Sequence, residues 1–381
     1  MILAFESFPR FLLACIHFVL LFSVGSHAFA ENGFSNSTPS ERVALLRDAV
    51  DKVLHQLDAK QGPGMAVWVE VNDEVIYSNW GGLAQRDKKI PIDGDTVFEL
   101  ASASKPLTAA IVLQLCERGG LNLDDFAITW IPDLPNQWSS ITVHNLLSQT
   151  SGIPDFLSQI NAAKLVGLDG LTNQQLLQRW RANPALNFPS GSEVEYSNSN
   201  YVLLAEIISQ VCGTSFAQCM RERIFNPLGM KHSRVESEQA LESETLALNY
   251  AASVRTKGIQ LRTEGPTGIY SSLNDVALWL RAYKAGDIVS KTATKLMTTP
   301  SSSKSIFENG ERYGMGWVLP AENSPAGAFE HAGQKDGYRT LIRGNPTHKV
   351  NYIILSNGGD FVQFASTEVQ YWIKELFEQP N

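Results

Sequence analysis

The chain has 381 residues, 44% of them hydrophobic and 18% charged, which is enough apolar side chain for a large core and too much for a disordered or fibrous protein. The formal net charge of -8 and a pI near 5.5, with no cluster of lysines and arginines, argue against a nucleic-acid partner. They leave a small molecule or a peptide as the expected substrate.

Residues 1–30 read as a secretory signal. Arg10 closes a short first region, Phe11 to Gly25 form an apolar run, and Ala28-Phe29-Ala30 is a small-x-small cleavage site. The run is shorter than the roughly 20 residues a membrane span needs. Leu13-Ala14-Cys15 is a faint lipid-attachment pattern, but the apolar run follows it instead of preceding it. The expected mature chain starts at Glu31, is secreted or periplasmic, and keeps no stable membrane span. It retains Cys116, Cys212 and Cys219. Cys212 and Cys219 bracket a helix break at Gly213 and are candidates for a disulfide, whereas Cys116 reads as a small buried side chain.

After a polar leader at 31–40, Val43, Leu46, Val50, Val53, Leu54 and Leu57 recur at helical spacing from Glu41 onward. Gly64 to Trp80 alternates as two strands around Asn72-Asp73, a hairpin signal. A short strand-like run, Val97 to Leu100, gives way to an apolar helix beginning near Pro106. From about 124 to 262 helical periods dominate, most clearly at Leu171–Arg181, Tyr201–Val211 and Phe216–Ile224. Strands return at Tyr313–Leu319, Ala328–His331, Gly337–Arg343 and Lys349–Ser356, and Val362–Phe377 closes the chain with a helix. The expected fold class is α+β. Both chain ends (about 41–123 and 263–378) build an antiparallel sheet flanked by terminal helices, residues 124–262 build a mostly helical lobe, and a cleft lies between them.

Ser102-Ala-Ser-Lys105 falls where strand turns to helix. Residues three apart share a helix face, so Lys105 is placed to reach the Ser102 hydroxyl, and burial would lower its pKa until the neutral amine serves as a base. The pattern is short, and Ser301 to Lys304 matches it too, in a serine run after Pro300 that reads as a loop. Tyr196-Ser-Asn198 offers a phenol for proton transfer and an amide to grip a substrate carbonyl. Its look-alike, Tyr77-Ser-Asn79, lies on the first hairpin. His331-Ala-Gly333 offers a ring that could donate a hydrogen bond or move a proton, beside a glycine against which a substrate backbone could lie. Lys284-Ala-Gly286 mimics it but reads as a helix end with glycine at the stop. His55, His144, His232, His331 and His348 have no metal-ligand spacing and no Cys-x-x-Cys occurs, so no metal or other cofactor is expected.

In this order, Ser-x-x-Lys, Tyr-x-Asn and His-x-Gly resemble the penicillin-recognising serine hydrolases of the class C β-lactamase type, which also include D-alanyl-D-alanine carboxypeptidases, D-aminopeptidases and esterases. His144–Gly152, Ile224–Met230, Gly268–Ser272 and Tyr313–Trp317 are similar to the same family, over about Val43 to Leu376. The resemblance implies an acyl-enzyme on Ser102, with Lys105 and Tyr196 sharing base and acid duties. It further implies that Asn198 holds substrate, His331 assists the leaving group, Gly333 lines the binding edge, and the backbone N–H groups of Ser102 and Gln334 form an oxyanion hole. Two features depart from the β-lactamases. Ala332 stands where they usually carry threonine, and no arginine occurs in 357–366, where they usually bind a carboxylate. Amide bonds of D-amino-acid peptides, or small esters, are therefore the expected substrates. A class C β-lactamase and a non-catalytic penicillin-binding or sensor module are the alternatives, the last of which would typically have lost Lys105 or Tyr196.

Overall fold

The computed structural model describes residues 37–158, 170–237, 245–251, 254–255, 262–304, 306–322, 328–358 and 360–378. The signal and most of the leader lie outside the described residues. Helix α1, Pro39–Lys60, starts two residues before the expected Glu41 because Thr38 caps it: its hydroxyl accepts from the Glu41 N–H while the Glu41 carboxylate accepts from the Thr38 N–H. One stripe of α1, Leu46, Val50, Val53, Leu54 and Leu57, is buried.

Strands β1 (Met65–Val71) and β2 (Glu74–Gly81) form the hairpin, with Asn72 at φ 52° and Asp73 at φ 66°, the paired left-handed residues of a tight two-residue turn. The remaining strands of the main sheet come from the far end of the chain: β3 (Arg312–Tyr313), β4 (Val318–Leu319), β5 (Phe329–Lys335), β6 (Tyr338–Asn345) and β7 (Val350–Ser356). Their order is β3-β4-β5-β6-β7-β1-β2, every pair antiparallel, so the chain ends meet in the sheet where β7 pairs with β1 from Met65↔Ser356 to Val71↔Val350. Helix α1 and the closing helix α6 (Asp360–Phe377) cover one face, with Val67, Val69 and Ile354 packed against Leu54, Val369 and Ile373. A larger core fills the other face.

That core includes α2 (Lys105–Glu117), α3 (Asn173–Ala182), α4 (Asn198–Cys212) and α5 (Leu273–Ala285). The fold is α+β, an antiparallel sheet flanked by helices and joined to a helical region. Helix α4 begins at Asn198, three residues earlier than its apolar period indicated. The Phe216–Ile224 segment is an α-helix only to Met220 and continues as a wider π turn over Arg221–Phe225. The sulfurs of Cys212 and Cys219 are bonded, with Cα atoms 6.2 Å apart. Cys116 is free, and burial pushes its thiol up to about 11, away from reactivity.

Two strand readings differ from the structure. Tyr313–Leu319 is not one strand: Gly314-Met315-Gly316 turns it into the β3–β4 pair. Gly316, at φ 89°, lies so close to α2 that a Cβ there would stand 2.9 Å from the Ala109 Cβ and 3.1 Å from the Pro106 Cα. The Ala328–His331 reading stops too early, since β5 runs on to Lys335 through a glycine that lowers apparent strand propensity.

Asn357, fully buried at the end of β7, ties three segments together. Its Oδ1 accepts from Gly64 N at 2.8 Å, and its Nδ2 donates to Leu83 O at 3.0 Å and Leu248 O at 2.9 Å. Truncation would strand several buried polar groups at once. Asn357→Ala is expected to lower stability by about 2–4 kcal/mol, read as a lower midpoint in urea unfolding.

Candidate active site

Val97–Glu99 pairs with Ile269–Ser272, and the chain then reverses sharply through Ala101, which takes φ 50°. A non-glycine residue in that region is strained, and strain of this kind collects at functional turns. Ala101–Ser104 makes one 3₁₀ turn, and α2 follows from Lys105. Ser102 is therefore at the mouth of a helix and half-buried, while Lys105 is completely buried.

The Lys105 Nζ donates to Asn198 Oδ1 at 2.7 Å and to Pro266 O at 3.1 Å, and lies 4.8 Å from the Tyr196 ring centre. Burial lowers its pKa to about 7; Asp155 and Glu99 oppose that shift only in part. Near neutral pH a large share of Lys105 is therefore a free amine.

Tyr196 precedes α4 and is held by its neighbours: Glu195 N donates to Gln149 O, Ser197 N to Gln149 Oε1, and Asn198 N to Asp155 Oδ1. Burial raises the pKa of its phenol well above the ordinary value, with the Ser102 hydroxyl opposing that shift only in part, so it is protonated where Lys105 titrates. A hydroxyl sheltered from water keeps its proton, so the base that is free near neutral pH is the neighbouring amine and not a phenolate. Asn198 differs from the expected substrate grip. Its oxygen is taken by Lys105 and its Nδ2 donates to Asp155 Oδ1 at 3.1 Å, so it orients the lysine.

His331 lies mid-strand on β5, with its ring centre 6.2 Å from those of both Tyr196 and Tyr313. Its Nδ1 is 2.8 Å from Ala332 O, an atom that can only accept, so Nδ1 carries the hydrogen. Nε2 is left as an acceptor, with Tyr313 Oη 3.4 Å away. Burial, reinforced by Lys105, lowers the ring's pKa to about 3. The expectation that this ring donates to or protonates a leaving group does not fit that tautomer. In the structure it is a neutral spacer packed against Tyr196.

Gly333 brings β5 against the Ser102 turn: a Cβ there would lie 2.3 Å from Leu100 O and 3.1 Å from Ser102 N. Gln334 follows it with its side chain exposed on the opposite face. Since β4 pairs with β5 only through Val318↔Glu330, the β5 edge from His331 to Lys335 has no strand partner among the described residues. Lys335 pins that stretch, lying 3.2 Å from Glu236 and 3.8 Å from Glu99, the residue three before Ser102.

The look-alike motifs are accounted for elsewhere. Tyr77 and Asn79 both bind Asp51, Lys284 pairs with Glu70 at the end of α5, and Ser301–Lys304 forms no helix. Sequence reasoning missed Asp155 and the Pro266 carbonyl, which belong to no quoted motif, and Gln149 was visible only inside the family-like segment His144–Gly152. Tyr313 was visible only as the first residue of a family-like segment.

An amine, a phenol and a serine hydroxyl gathered at a helix mouth beside a free strand edge, on this sheet and helical region, define the β-lactamase and transpeptidase class of fold. Residues 50–373 match the Beta-lactamase family. The chain is 30% identical over 339 residues to "Penicillin-binding protein 4*" of Bacillus subtilis, covering 81% of this chain and 71% of that protein. It is 27% identical over 322 residues to "Protein flp" of Staphylococcus aureus, again over 81% of this chain but only 62% of that longer protein. Among solved structures it is similar in fold to the D-amino acid amidase of Ochrobactrum anthropi SV3, with a TM-score of 0.70 and 24% identity over 86% of this chain and 98% of that one. The chain belongs to the beta-lactamase family, and is an enzyme of that family of serine hydrolases.

Two outcomes follow from this geometry. With Lys105 as the titrating base, kcat/KM should rise with pH through about 7 and then level off, with no second inflection from His331 between pH 5 and 9. Gly333→Ala should lower kcat by at least about tenfold and also lower stability by about 1–3 kcal/mol, read as a lower midpoint in urea unfolding, because the added methyl must displace the Leu100–Ser102 backbone.

Proposed function

We propose that the chain is a secreted hydrolase of amide or ester bonds, working through a covalent Ser102 acyl-enzyme on D-amino-acid peptides or small esters. The single observation that carries this reading is the fully buried Lys105 amine, brought to about 7, one turn from Ser102 and 4.8 Å from the Tyr196 ring. The Ser102 oxygen attacks the substrate carbonyl, and its proton passes through the Tyr196 phenol to the Lys105 amine. The same relay returns the proton to the departing amine or alkoxide, and water then cleaves the acyl ester. Backbone N–H groups of Ser102 and Gln334 are the candidate donors to the oxyanion, and the open β5 edge would take the substrate backbone.

The D-amino acid amidase likeness supports this substrate class. Ala332, which has no hydroxyl, and the absence of arginine in 357–366 weigh against strong β-lactam hydrolysis. In this reading the substrate lies in a cleft between the sheet part, about 41–123 and 263–378, and the helical lobe, about 124–262.

A fluorescent penicillin or an active-site phosphonate should label the native protein, and Ser102→Ala should lose the label together with about 10³-fold or more of the ester turnover. Equal labelling of both proteins would sink the assignment. The intact mass of the secreted, labelled protein is expected to correspond to a chain beginning at Glu31.

A further inference from the structure

At the end of the sheet where the β1–β2 and β6–β7 turns meet, a cavity of about 430 Å³ opens between those turns, the last turn of α5 and the short helix Lys291–Met297. The Asn72 N–H donates to Lys349 O at 3.0 Å, which ties the two turns together. No residue of the candidate active site is among the cavity's walls, and the buried rings of Tyr283 and Phe329 are.

Four lysines, Lys284, Lys291, Lys295 and Lys349, line this space against a single carboxylate, Asp73. In a chain with a net charge of -8, that is a local excess of the opposite sign. Lys284 is already committed to Glu70 and to Asp73 itself. The other three make no ion pair among the described residues, and Lys291 and Lys295 are four apart on one helix, where like charges repel. Asn345 is an independent sign of a ligand. It lines the cavity while only 2% exposed, and its Oδ1 accepts from His348 N at 3.2 Å. Among the described residues nothing accepts from its side-chain N–H groups, and a buried amide donor without an acceptor is costly.

These donors select the ligand. Ammonium groups are point charges that suit the several oxygens of a phosphate, whereas a planar carboxylate is matched best by an arginine fork, and no arginine is among the lining residues. The volume falls within the roughly 300–1,000 Å³ of pockets that hold whole small molecules, more than a bare phosphate fills. We propose that this cavity binds a phosphate ester, with the phosphate held by Lys291, Lys295, Lys349 and the Asn345 amide and the apolar body lying against Tyr283 and Phe329. The site is separate from Ser102, and its existence does not depend on the hydrolase reading.

Calorimetry on the full chain with phenyl phosphate, inorganic phosphate and phenol tests this. Phenyl phosphate should bind once per chain and at least about tenfold more tightly than either fragment. Lys295→Ala/Lys349→Ala should weaken it at least about tenfold with the urea midpoint unchanged, since both side chains are exposed, and Lys295→Arg/Lys349→Arg should stay within about threefold of native. Lys52→Ala/Lys88→Ala, which removes the same charge at exposed positions away from the cavity, should leave binding within about twofold. Absence of phenyl phosphate binding in the native protein overturns the inference. So does binding that survives Lys295→Ala/Lys349→Ala, that falls equally in the two alanine pairs, or that inorganic phosphate matches.

Discussion

A lysine ammonium sealed from water costs several kcal/mol to keep charged, and the site is arranged around that cost. Lys105 is the first residue of its helix, completely buried, and faced by two oxygen acceptors and an aromatic ring instead of a carboxylate in contact. A direct ion pair would have restored its charge near neutral pH. Asp155 stays one residue removed, bonded to the Asn198 amide that in turn holds the amine. The lysine is thus oriented without being fully neutralised, which is how its pKa comes to lie near 7 while that of the adjacent phenol is pushed up.

Keeping the amine dry requires close packing from three directions. The β3–β4 turn lies against α2 through Gly316, β5 against the Ser102 turn through Gly333, and residues 263–268 close over the lysine, with Pro266 O accepting from Nζ and Gly265 O from the Thr108 hydroxyl. In the first two contacts glycine is needed because backbone meets backbone with no space for a Cβ. Glu99, Glu236 and Lys335 add a buried ionic clamp. Burial disfavours the Lys335 charge, yet the two carboxylates more than offset this and raise its pKa. The clamp joins β5 to the strand that delivers Ser102, so Ser102 and the free strand edge keep one spacing.

His331 shows how context changes a residue's chemistry. From the sequence it is an ionisable group in a motif; in place it is a neutral ring whose tautomer is fixed by the Ala332 carbonyl. Tyr196 likewise reads from the sequence as a proton-transfer group and sits in the structure as a protonated phenol beside the Lys105 amine. In both cases burial selects the uncharged form, and burial is a property of the assembled core.

Local chemistry in the sequence determined much of this protein. The stripe from Leu46 to Leu57, the Asn72-Asp73 turn and the late strands follow from period and turn residues, whereas Ser102, Lys105, Tyr196 and His331 lie in short motifs that each have a look-alike and stand out only because their order resembles that of the family. The helix ends were less legible. Asn198 begins α4 because Asp155, 43 residues earlier, accepts from its backbone N–H, and no local pattern carries that information. Only the tertiary structure decided that Asn198 holds the lysine, that Pro266 and Gln149 lie beside it and Tyr196, and that Gly333 touches the Ser102 turn. These depend on distances between segments far apart in the chain, and on exclusion of water, which arises only once those segments pack together.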